Sequence, residues 1–191
     1  MYKNMAEILH DAEAGDFKLS HFEVGEKDIM ARINGIPKGE YVRLTYRGGC
    51  VMSDTPMEKR TNRQFLWNAH GKVLIGGLGI GMILLAIQDK EDVEQITVIE
   101  KHAEVIEIIQ KQLPLNDKVT IVHADIFEYI PQSKYNTIYI DIWNCINEDV
   151  YENEMKPLIR RYRKYLVPKS EDEERYIDCW CKEEAKKGMR I

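Results

Sequence analysis

One glycine-rich turn and three strand-end acids in this sequence could do chemistry together. Gly77-Leu78-Gly79-Ile80-Gly81 follows the apolar run Val73–Ile75. Missing side chains there let the backbone pass close to a ligand, and a helix starting just after it presents unpaired N–H groups. Glu100 closes the run Ile96–Ile99, where an acid can accept from the two hydroxyls of a ribose while its charge repels a 2′-phosphate. Lys101, its neighbour, is grouped with the same binding set. Asp125 follows the run Val119–Val122 and is placed to accept from an adenine amino group, with Ile126 packing on the ring; a helix N-cap is the rival reading. Asp141 ends the apolar run Ile138–Ile140. A carboxylate there can serve as a general base or meet an amino group.

The glycine spacing separates ligand classes. A dinucleotide fingerprint needs glycine at the first, third and sixth positions, but the sixth position counted from Gly77 is Met82. Glycine at the first, third and fifth positions disfavours NAD and FAD, and the acid at Glu100 disfavours NADP.

These groups converge only if the chain alternates strand and helix. From Lys72 onward it does so, with strands expected at Val73–Ile75, Ile96–Ile99, Val119–Val122 and Thr137–Ile140. Helices are expected from Met82 to Asp89, from Ala103 to Leu113 before Pro114, around Ile126 to Ile130, and from Glu148 to Leu166 with a kink at Pro157. Tyr176–Trp180 reads as a fifth strand followed by a short charged tail. Right-handed crossovers then give a Rossmann-like, doubly wound, mainly parallel α/β sheet, whose ligand crevice lies outside the carboxyl ends of the strands.

Residues 1–70 read as a small α+β hairpin element packed on the 71–191 domain. Asn4 and Glu7 form a capping-box pattern for a short opening helix. Val42, Leu44 and Tyr46 alternate with polar neighbours, and Gly48-Gly49 supplies a hairpin turn. Thr55, Pro56 and Glu58 mark the start of a helix running to about His70.

Composition narrows the partners. The 191 residues are 44% hydrophobic and 31% charged, with a net charge of −5, which fits one globular domain and disfavours nucleic acid. No apolar run reaches the roughly 20 residues of a membrane span, and the N-terminus lacks the apolar centre of a signal peptide, so a cytoplasmic address is expected. Cys50, Cys145, Cys179 and Cys181 read as reduced structural thiols without metal. His123 reads as strand packing, Trp143 as a pocket wall or plain core. The acidic run Glu171–Glu174 reads as a solvated loop, and Arg160, Arg161, Arg163 and Lys164 read as the solvated face of a helix.

The stretch from Val73 to about Asp141 resembles class I S-adenosylmethionine (SAM)-dependent methyltransferases, with glycine loop, ribose acid, adenine-side aspartate and strand-four aspartate in that family's order. The resemblance implies SAM as cofactor, held by Gly77, Gly79, Gly81, Glu100, Lys101, Asp125 and Ile126, with Asp141 as the catalytic residue. Within the superfamily the chain is most similar in look to spermidine synthases, which share an apolar residue at Ile75, a preceding hairpin element and the aspartate matched by Asp141. Those enzymes usually carry aspartates where this chain has Ile80 and Asn144. Amino-group methylators often carry an Asn/Asp-Pro-Pro-aromatic motif where this chain has Asp141-Ile142-Trp143-Asn144. The usual methyltransferase sheet ends in an antiparallel pair, and too few residues follow Trp180 to build one, so a truncated sheet is expected.

The leading expectation is methyl transfer from SAM to an unidentified acceptor. SAM's methyl carbon is electrophilic without enzymic activation, so the protein mainly aligns the acceptor. Where a proton must leave, Asp141 is the first candidate base and His70 the second. The alternatives are aminopropyl transfer from decarboxylated SAM, and a catalytically silent SAM-fold binding or scaffold protein. The expected partners are the small-molecule cofactor and the acceptor, with a homodimer left open.

Overall fold

The computed structural model describes residues 2–189. Two sheets organise it. Five parallel strands, β5 (Gly71–Gly76), β6 (Val93–Glu100), β7 (Val119–His123), β8 (Thr137–Ile140) and β9 (Tyr176–Cys179), lie in the order β7-β6-β5-β8-β9. The chain builds outward from β5 to β7 and then returns to place β8 on the other side of β5, which opens a crevice at the carboxyl ends of those central strands. Every residue of β8 is buried, as expected for a strand covered on both faces. The helix α5 (Met82–Ile87) is also buried at all six positions, so no amphipathic stripe marks it. The doubly wound parallel sheet is as expected, and β9 forms its edge.

The N-terminal element is larger than a hairpin. It is a four-stranded antiparallel sheet, β1 (Ala12–Ala14), β2 (Phe17–Val24), β3 (Gly39–Tyr46) and β4 (Gly49–Ser53), paired in chain order. The turn between β3 and β4 also differs from expectation. Arg47 and Gly48 take the positive φ values, 49° and 82°, and Gly49 already pairs with Tyr46; two left-handed residues in a two-residue loop match strand twist. Leu19, Leu44 and Phe65 belong to the same buried cluster as Leu74, Ile75 and Ile140, so one core runs beneath both sheets.

Four helical expectations are corrected. The segment after Thr55 is two short helices, α3 (Pro56–Thr61) and α4 (Arg63–Asn68), broken at Asn62, and Thr55 makes no side-chain cap. Asn62 is fully buried; its Nδ2 donates back to the Glu58 carbonyl and its Oδ1 accepts from Tyr139, and such a side chain competes with the local helical pattern. No helix forms over Ile126–Ile130; instead the Asp125 carbonyl accepts from the Glu128 and Tyr129 N–H groups in a tight turn. The long helix is α7 (Glu148–Val150), a π-helical turn over Tyr151–Met155, and α8 (Lys156–Tyr162). The wide turn falls just before Pro157, which has no N–H to donate. Finally, the charged tail contains a helix, α9 (Lys182–Lys186).

Among the described residues no helix is long and apolar enough to cross a membrane, and no group of three or more His, Cys, Asp or Glu could hold a metal ion. The cysteines are free, with Cys179 and Cys181 buried and Cys50 and Cys145 exposed.

Asp172, expected in a solvated loop, instead ties that loop to the sheet. Its carboxylate pairs with His70 Nε2 at 2.8 Å and accepts from Asn136 Nδ2 at 2.9 Å. His70 Nδ1 faces the Asn68 carbonyl at 2.7 Å. Both ring nitrogens thus meet acceptors, so both must donate and the imidazolium is favoured. Burial opposes that charge, but the Asn68 carbonyl and Asp172 outweigh it and raise the His70 pKa above its ordinary 6.5. A histidine raised on folding stabilises fully below its unfolded pKa and loses that contribution as pH climbs through the folded value. Asp172→Asn is therefore expected to cost about 1–2 kcal/mol near pH 6 and distinctly less at about pH 9. Urea unfolding at both pH values checks this, and equal costs would show that His70 is uncharged throughout.

Candidate active site

A cavity of about 380 Å³ lies at the carboxyl edge of the parallel sheet. Gly77, Gly79, Glu100, Lys101, Asp125, Ile126 and Asp141 all stand on its wall. The N-terminal sheet closes the opposite side with Phe17, Leu44, Tyr46, Val51 and Met52. Of the residues singled out from sequence, Gly81 is off the wall; it takes φ 76° before α5 and faces the Leu113 side chain.

Backbone packing demands the first glycine of the turn, and a positive φ favours glycine at the second. At Gly77, φ is 97°, and a Cβ would stand 2.1 Å from the Asp141 carbonyl oxygen. At Gly79, φ is 51°, and a Cβ would stand 2.1 Å from Met52 Sδ. The turn is thus clamped between the end of β8 and the hairpin, and this close approach draws the strand-end groups together.

Glu100 is buried, at 7% exposure, and does more than face a ligand. One carboxylate oxygen accepts from the Leu78 N–H at 2.9 Å and the other from the His102 N–H at 2.8 Å. Each oxygen keeps a lone pair directed elsewhere. Asp125 accepts from the Phe127 N–H at 2.9 Å and pairs with Lys101 at 2.7 Å. The Lys101 ammonium, reinforced by the Phe127 N–H, holds the Asp125 carboxyl below its ordinary range despite partial burial. Arg161, expected on a solvated helix face, and its neighbour Tyr162 support this turn from behind: the Arg161 guanidinium donates to the Phe127, Glu128 and Tyr129 carbonyls, and Tyr162 donates to the Ile126 carbonyl at 2.7 Å.

At the far end the wall turns acidic. Asp141, Glu58 and Glu154 line it with Trp143 and Trp180. Burial pushes the Asp141 carboxyl up to about 7. Burial, then the charge of Asp141, pushes Glu58 up to about 8. Glu58 is only 8% exposed. A network holds its segment: Tyr139 donates to Asn62 Oδ1 at 2.8 Å, Asn62 Nδ2 donates to the Glu58 carbonyl at 3.1 Å, and Trp180 Nε1 donates to Thr61 Oγ1 at 3.0 Å. Trp143 Nε1 donates to Glu154 at 2.7 Å.

Glu58 is the group that sequence reasoning missed, because its spacing from Thr55 read as a capping box. His70 is off the wall, bound to Asp172 at the opposite edge of the sheet. His123, expected inside the strand packing, is exposed and meets the Lys101 carbonyl at 3.0 Å.

No family model matches this sequence, and no curated protein matches it. Among solved structures, the N-methyltransferase NodS from Bradyrhizobium japonicum WM9 overlaps 60% of this chain and 65% of its own, at 18% identity and a TM-score of 0.47. Spermidine synthase from Thermotoga maritima overlaps 75% of this chain and 50% of its own, at 21% identity and a TM-score of 0.48. The glycopeptide N-methyltransferase MtfA, complexed with SAM, overlaps 56% of this chain and 48% of its own, at 21% identity and a TM-score of 0.43. The chain spans between about half and two thirds of the length of these structures. The sheet order described above stands on its own hydrogen bonds, independent of these overlaps.

Two substitutions test the geometry. Gly77→Ala is expected to destabilise the fold by about 3 kcal/mol, because backbone strain adds to a clash with a carbonyl. Gly188→Ala, at φ 69° with nothing within 4 Å, is expected to cost about 1 kcal/mol. Similar losses in urea unfolding would refute the clash. Asp141 carries the opposite sign: an acid raised on folding loses stability as pH rises from its ordinary 3.8 to about 7, since the unfolded chain sheds its proton first. Asp141→Asn is expected to be more stable than wild type by about 1–2 kcal/mol at about pH 8 and equal to it near pH 4. Thermal melts at both pH values check this.

Proposed function

We propose that this cavity binds SAM and that the protein transfers its methyl group to a small acceptor. The observation that carries the reading is the convergence of the Gly77–Gly79 turn, Glu100, Asp125 and Asp141 on one cavity whose size suits a nucleoside-sized ligand. Bound SAM supplies a sulfonium whose methyl carbon needs no further activation.

The chain's own groups have separable roles in this reading. Glu100 offers its remaining lone pairs to the ribose diol while keeping the turn in place. Ile126 packs on the adenine ring. Asp125 accepts from the adenine amino group once Lys101 yields, at small cost because Lys101 is largely exposed. Asp141 stands where the acceptor must lie and can take its proton.

A second reading, aminopropyl transfer from decarboxylated SAM, is favoured by one specific feature. Lys101 is the sole Lys or Arg among the described residues of the cavity wall, and Asp125 already holds it, so no free cation waits for the carboxylate that decarboxylated SAM lacks. A silent binding protein would take up nucleoside without turnover.

Calorimetric titration of SAM and decarboxylated SAM separates these. SAM is expected to bind wild type, and Asp125→Ala is expected to weaken it by about 1–2 kcal/mol. Release of S-adenosylhomocysteine identifies methyl transfer and release of methylthioadenosine identifies aminopropyl transfer. Absence of binding by either nucleoside would sink the proposal.

A further inference from the structure

We infer that Met52 is a latch on the glycine turn, a thioether that a ligand with an amino-acid tail must displace, and that it thereby sets which S-adenosyl ligand the cavity takes. The identity of the ligand rests on the SAM reading; the latch itself rests on the geometry of the hairpin and the turn.

A β-bulge aims the side chain. In the pairing of β3 with β4, Leu44 stands opposite Met52 and Thr45 opposite Cys50, so Val51 is an extra residue without a partner across the ladder. A regular strand would send Val51 and Met52 to opposite faces. Both line the cavity instead, since a bulge re-aims the side chains beside it. The backbone is held on both sides of Met52. β4 is paired along β3, and just beyond it the buried Asp54 accepts from the Val42 N–H at 2.9 Å while its own N–H donates to the Val42 carbonyl at 3.2 Å. Met52 therefore yields by rotating its flexible side chain, not by opening the hairpin.

The turn shows what the sulfur covers. The Gly77 N–H donates to the Ile99 carbonyl at 2.8 Å, the Leu78 N–H to Glu100 at 2.9 Å and the Gly81 N–H to the Leu78 carbonyl at 2.9 Å. Among the described residues the Ile80 N–H meets only the Met52 sulfur, at 3.4 Å. A thioether is a weak acceptor, so this donor gains when an oxygen replaces it. The same sulfur stands 2.1 Å from the point where a Gly79 Cβ would lie, and so fills the space that the bare backbone leaves open to a guest. It is the movable end of a long side chain, unlike the Asp141 carbonyl that fills the corresponding space at Gly77.

Ligands then sort by what their sulfur carries. S-adenosylhomocysteine has an amino-acid tail whose carboxylate can replace the thioether at the Ile80 N–H with a charge-assisted bond. Methylthioadenosine has a methyl group there and no acceptor to offer. The cost of moving Met52 falls on the first ligand alone.

Calorimetry of both nucleosides on the full chain, with hydrogen exchange at the Ile80 amide, tests the latch in wild type, Met52→Ala and Met52→Gln. Met52→Ala removes the obstacle and is expected to bind S-adenosylhomocysteine about tenfold more tightly; Met52→Gln offers a stronger acceptor at similar length and is expected to bind it about tenfold more weakly. Methylthioadenosine affinity is expected to stay within about twofold throughout. Exchange at Ile80 is expected to quicken about tenfold in Met52→Ala and to slow in Met52→Gln, with the β5 amides unchanged as the sign that both variants are folded. Weaker binding of both nucleosides by Met52→Ala would make Met52 a plain wall and overturn the latch, as would equal Ile80 exchange in all three proteins. If neither nucleoside binds any of the three, the SAM reading fails, and the exchange rates alone decide the latch.

Discussion

The buried carboxylate of Glu100 is the interaction on which the rest of this structure depends. Its two oxygens bind the Leu78 N–H in the glycine turn and the His102 N–H beyond β6, so a single side chain fixes the distance between the two loops that face the cavity. A buried charge is tolerable only when fully engaged. Charge-assisted bonds to backbone donors are the stronger kind, and they leave the acid able to accept from a further donor. The same residue therefore builds the site's frame and remains chemically available in it.

The N-terminal sheet is part of that frame. Met52 lies against Gly79, with its sulfur 3.4 Å from the Ile80 nitrogen, and Phe17 and Tyr46 gather around the His102 ring at centroid distances of 4.9 and 6.3 Å. Through α3 the same element contributes Glu58. The parallel sheet supplies groups at its strand ends, and the antiparallel sheet narrows an open crevice to a half-open cavity, in which charges act at lower dielectric than at a free surface.

Much of the parallel sheet was legible in the sequence because β-branched runs and their spacing are local signals: the strands and the residues at their ends follow from short windows. The N-terminal sheet was half legible. In β3 the buried Val42 and Leu44 flank the exposed Arg43, but in β2 alternation slips between His21 and Phe22, and β1 is only three residues long. The break at Asn62 was not read, since one of the two bonds that hold its side chain comes from the distant Tyr139. Glu58 was misread for the same reason: an acid three residues after a Thr-Pro start has a sufficient local explanation, and only the fold brings it beside Asp141. Asp172 likewise needed the distant His70 to take it out of an apparently solvated run.

The Lys101–Asp125 pair sits at one side of the cavity with its ammonium largely in water. An exposed pair of this kind contributes between nothing and about 1 kcal/mol, and dissolved ions weaken it further. Occupancy of the cavity is therefore coupled to the surrounding electrolyte: added salt loosens the internal competitor for Asp125 even as it weakens the attraction of the acidic wall for cationic guests. A neutral guest would feel only the first effect and a positively charged one both, so the medium itself becomes a means of telling them apart.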